Sequence, residues 1–63
     1  MNDKKMRIEI WFASGLFRAF PEVNPESIKD KDEVVSFKFK GGHIANVMKR
    51  NIDFMEVMKE EEN

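Results

Sequence analysis

Two stretches of this chain, Arg7 to Ser14 and Glu33 to Lys40, alternate apolar with polar residues and run straight into glycine. Alternation carried by β-branched and aromatic side chains describes a half-buried β-strand. Glycine at the end of such a strand describes a tight return of the chain. In the first stretch Met6, Ile8, Ile10 and Phe12 share one face, while Arg7, Glu9 and Trp11 share the other. Trp11 is thus the one aromatic on an otherwise polar face. In the second, Val35, Phe37 and Phe39 oppose Val34, Ser36, Lys38 and Lys40.

The neighbouring residues extend this pattern into hairpins. Ser14-Gly15 reads as a turn and Leu16 to Phe20 as a second strand, with Phe17 and Ala19 opposing Leu16, Arg18 and Phe20. Pro21 ends that strand or marks an edge, because it has no N–H to give to a ladder. Residues 21–33 hold both prolines and many charges, which is the chemistry of a connection, anchored on the core by Val23 and Ile28. A short helical turn beginning near Pro25 suits proline's fixed φ. Gly41-Gly42 then turns the second strong strand back on itself.

The last third admits two readings. Ile44 to Lys49 and Ile52 to Lys59 are two strands broken near Arg50-Asn51, or Ile44, Met48, Ile52 and Met55 form one helical stripe. Residue propensity leans toward helix, and the second glycine turn with Ile44, Val47, Ile52 and Val57 leans toward strand. The expected fold is all-β, a five-stranded antiparallel meander curling into a small barrel. The alternative is α+β, a three-stranded antiparallel sheet backed by one C-terminal helix.

Sixty-three residues form a single domain, 1–63, with 1–5 and 60–63 expected to fray. A core of this size is only marginally sufficient, and the chain has no cysteine with which to staple it. Oligomerisation or a partner covering apolar surface is the remaining remedy. The missing cysteine fits a reducing cytoplasm, and no stretch approaches the roughly 18 apolar residues of a membrane span. The expectation is a soluble cytoplasmic protein that does not enter membranes. Its net charge of −1 conceals a split. Val34 to Arg50 carries Lys38, Lys40, Lys49 and Arg50 and no acid, whereas Asn51 to Asn63 carries five acids and only Lys59.

Four features in order carry a resemblance: Ile8-x-Ile10-x-Phe12 with Ser14-Gly15; Phe20-x-x-Val23; Val35-x-Phe37-x-Phe39 with Gly41; and the segment from Asn51 to Val57. This order resembles small single-domain proteins of phages and prophages of Gram-positive bacteria, over Met6 to Met58. The methionines Met48, Met55 and Met58 stand where Ile, Val and Tyr are usual in that group. The resemblance implies a mobile-element accessory protein that binds, and inhibits, a host or defence protein. It carries over no catalytic residue.

Enzymatic chemistry finds little footing. His43 is the only histidine, follows a double glycine, and has no nucleophile elbow or oxyanion loop near Ser14, Ser27 or Ser36. Gly41-Gly42 lacks the follow-on residues of a phosphate loop. No catalytic residue, cofactor or metal site is expected. The expected role is non-enzymatic binding of a protein partner, with Trp11, Phe17, Arg18, Lys38 and Lys40 as contact residues and self-association as a companion property. The second reading is a nucleic-acid-binding accessory protein using the basic face of Phe37 to Lys40.

Overall fold

Both alternating stretches are strands in the computed structural model, which describes residues 5–60. β1 (Met6–Phe12) and β2 (Phe17–Val23) make the first hairpin. β3 (Lys29–Lys31), β4 (Val34–Phe39), β5 (His43–Met48) and β6 (Ile52–Lys59) follow. Every pairing is antiparallel, in the order β3-β4-β2-β1-β6, with β5 also on β4. The sheet curls into a half-barrel.

The all-β antiparallel architecture stands, with strands rather than a helix in the last third. Two details differ from the five-stranded meander. Residues 21–33 contribute an extra strand, β3, and β5 does not pair with β6, which instead lies along β1. β3 is all charge and fully exposed, so no periodicity could announce it. It exists because β4 has an edge to satisfy: β3 covers Val34 to Ser36, and β2 reaches the same edge only at Phe39.

Between those two contacts a short turn closes the gap. Pro25–Ser27 forms a 3-10 turn in which the Asn24 side chain accepts a hydrogen bond from Glu26 N–H. The Ser27 hydroxyl accepts from Lys38 N–H at 2.8 Å and donates to Asn24 O at 2.6 Å. Asn24 N–H in turn donates to Lys38 O. Both backbone groups of Lys38 are therefore satisfied by a turn instead of a strand.

The inner face carries the core: Ile8, Ile10, Phe20, Val23, Val35, Phe37 and Val47. Phe20 meets Phe37 and Phe39 edge-on, with centroids 5.2 and 5.1 Å apart, the geometry aromatic quadrupoles favour. Ile28 packs against this cluster from the connection. A bulge lets Phe20 and Val23 both face inward, since Met6 pairs with Val23 and Ile8 with Phe20. The extra residue forces Glu22 to φ 53°, a left-handed conformation costly for a side chain with a Cβ. Glu22→Gly is accordingly expected to raise stability by about 0.5–1 kcal/mol, and Glu22→Val to lower it by about 1–2 kcal/mol. Urea midpoints check this; both variants shifting in the same direction would refute it.

The β4–β5 loop is held by the same logic. Lys40, Gly41 and Gly42 all have positive φ (34°, 75° and 99°), and glycine takes the two largest. Lys5 and Glu60, expected to fray, extend the β1–β6 ladder through Glu60 N–H donating to Lys5 O. The remaining tail positions, 1–4 and 61–63, lie outside the described residues.

Candidate protein-binding face

The registers of β1 place Phe17, Trp11 and Phe54 side by side across three strands. Trp11 pairs with Phe17 on β2 and with Phe54 on β6. The rings touch, with the Trp11 centroid 4.9 Å from Phe17 and 5.2 Å from Phe54, both tilted near 50°. Trp11 is half-buried between its neighbours, while Phe17 and Phe54 remain 47% and 55% exposed. Leu16, one residue before Phe17 at the hairpin end, is 66% exposed. The outer face of β2, β1 and β6 thus carries an unbroken apolar row at one end.

The next row on that face is acidic. Two residues along each strand, Ala19, Glu9 and Glu56 line up, with Glu9 directly opposite both neighbours. Arg7 Nε donates to Glu9 Oε2 at 2.9 Å and offsets the repulsion between Glu9 and Glu56. Glu56 has no ion pair among the described residues. The aromatic row is bordered by carboxylate, not by lysine.

Sequence reasoning named Trp11 and Phe17, and the fold brings them together. It does not bring Arg18, Lys38 or Lys40 to the same place. Arg18 pairs with Ile10, an inward residue, so it lies on the opposite face of β2. Its guanidinium sits 5.0 Å from the centre of the Phe20 ring, a cation–π contact. Lys38 stands on the outer face of β4 beside Ile44, and Lys40 is in the β4–β5 loop. Phe54 was missed. Its signal was the β6 alternation, obscured by a bulge at Asp53 where Phe12 pairs with Ile52 but Trp11 pairs with Phe54.

Lys38 belongs to a second feature, an open groove of about 410 Å³ whose walls include Asn24, Ser27, Lys29, Ser36 and Ile44. The Ser27 hydroxyl is already committed to Asn24 and Lys38 backbone, which leaves no activated nucleophile there. The Phe37 ring, 1% exposed, has no face free for a base to stack upon. Among the described residues no group of three or more His, Asp or Glu is placed to hold a metal ion. Among them, too, no helix is long and apolar enough to cross a membrane.

Known proteins offer no guide to this face. Neither protein-family models, nor curated proteins, nor solved structures match the chain.

Proposed function

We propose that this chain is a non-enzymatic binding protein that docks another protein on the outer face of β2, β1 and β6. The observation that carries the reading is the Phe17–Trp11–Phe54 row. Exposed aromatic residues clustered around a half-buried tryptophan have the composition of an interface hot spot, and the carboxylates of Glu9 and Glu56 supply its polar rim. The acidic border favours a partner presenting apolar side chains beside basic ones. The lack of cysteine fits action in a reducing compartment such as the cytoplasm. The phage-type resemblance contributes the class of partner sought, a bacterial host or defence protein.

Affinity capture from a bacterial lysate, run in parallel with Trp11→Ala, tests the reading. A specific prey captured by the parent should bind Trp11→Ala at least ~30-fold more weakly, a hot-spot loss of about 2 kcal/mol. Equal capture by a folded Trp11→Ala would overturn it. So would tight, steeply salt-dependent binding of generic single-stranded nucleic acid, which belongs to the nucleic-acid reading.

A further inference from the structure

The half-barrel's two long free edges are β5 and β6; β3, which also has an open side, is only three residues long. The order β5-β4-β2-β1-β6 is antiparallel at each step, so the two edge strands run in the same direction. An antiparallel continuation that keeps the inner faces of two copies on the same side must therefore join like to like, which is the condition for a closed two-fold dimer. β6 is the longer edge, eight residues against six, and among the described residues it pairs only with β1.

We propose that two copies of this chain pair β6 to β6 about a two-fold axis at Glu56, forming one continuous sheet. The ladder itself says which backbone groups are available. Glu60 N–H is aimed at Lys5 O, and antiparallel alternation then turns the backbone of Phe54, Glu56 and Met58 toward β1. Met55, Val57 and Lys59 direct theirs to the open edge. With the axis at Glu56, Met55 lies opposite Val57 of the second copy and exchanges both hydrogen bonds with it.

The side chains select this register. Phe54 falls opposite Met58 of the second copy on the outer face, and Met55 opposite Val57 on the inner face. Asp53 falls opposite Lys59 of the second copy, an opposite-charge pair that occurs twice by symmetry. Moving the axis to Met55 would set Asp53 against Val57, and moving it to Val57 would set Lys59 against Met55. The register at Glu56 pairs residues 53–59, all of β6 except Ile52. Val57 shares the inward-facing parity of Ile8, its partner on β1, yet is 42% exposed because no strand among the described residues lies along the other side of β6. A second β6 covers it. Residues 54–58 carry no lysine or proline, the usual protectors of an edge. One contact opposes the dimer: Glu56 meets its own copy. A two-fold perpendicular to the sheet leaves both aromatic rows on the same side, so the dimer presents its binding face twice.

Light scattering across a concentration series tests the inference, with a mass rising toward twice 7.5 kDa expected for the parent. Val57→Pro removes a donor that serves only the open edge, so it should remain folded and monomeric. Glu56→Gln should lower the dimer dissociation constant about two- to five-fold. Asp53→Lys and Lys59→Asp should each weaken the dimer, and Asp53→Lys/Lys59→Asp together should restore it. A parent that stays monomeric at millimolar concentration, a dimer indifferent to Val57→Pro, or a charge swap without rescue would overturn the proposal. Trp11→Ala should leave the dimer intact, which separates this result from that of the partner-binding test.

Discussion

Phe37→Ala is expected to abolish cooperative folding. The ring is buried at the centre of the inner face, edge-on to Phe20 and near Phe39. Truncating a buried phenylalanine costs about 3–5 kcal/mol, the sum of lost transfer energy and the cavity left behind. A single core in a chain of 63 residues rarely supplies more than about 3–5 kcal/mol in total. The loss and the reserve are the same size. Circular dichroism on heating should show no sigmoidal transition for this variant, whereas Phe17→Ala, on the outer face, should melt within a few degrees of the parent. A two-state melt for Phe37→Ala close to the parent's would show that the core is not where the inner face places it.

Val23→Asp is expected to be as severe for a different reason. Val23 has no exposed surface and forms the single registered pair between β2 and β4, with Phe39. The sheet is two three-stranded units, β2-β1-β6 and β3-β4-β5, and this pair joins them. A carboxylate there loses its water and gains no partner, since no cation lies among the core residues. Removing its hydration costs several kcal/mol whether it ionises or holds a proton. Backbone amide exchange should report global loss of protection. Protection retained in β1, β2 and β6 alone would instead mean that one unit folds independently of the other, contrary to this expectation.

The strands that could be read from the sequence were those whose inner and outer faces differ in chemistry. β1 and β4 alternate cleanly, so their buried residues, Ile8, Ile10, Val35 and Phe37, were legible from spacing alone. β3 was not, because Lys29, Asp30 and Lys31 are charged on both faces and the strand is dictated by the unmet edge of β4. β6 was half legible. Its methionines and glutamates favour helix, and only pairing along β1 resolves them into a strand. The functional face followed the same rule. Trp11 stood out because it broke an alternation, whereas Phe54 became its neighbour through a pairing some forty residues away in the chain, which local periodicity does not encode. Lys38 and Lys40, expected as contact residues beside Trp11, lie on another strand and its loop.

The pairing of Met6 with Lys59 also has a consequence for how the protein is made. β1 leaves the ribosome before β6, and its flank stays bare until β6 has been synthesised. Closing so long a loop is entropically slow and contributes to the barrier more than to stability. Until then, the β1 edge is open to any neighbouring nascent chain. Premature termination before Ile52 would release a product with that edge permanently unpaired, a substrate for proteolysis or aggregation and not a smaller version of the same fold.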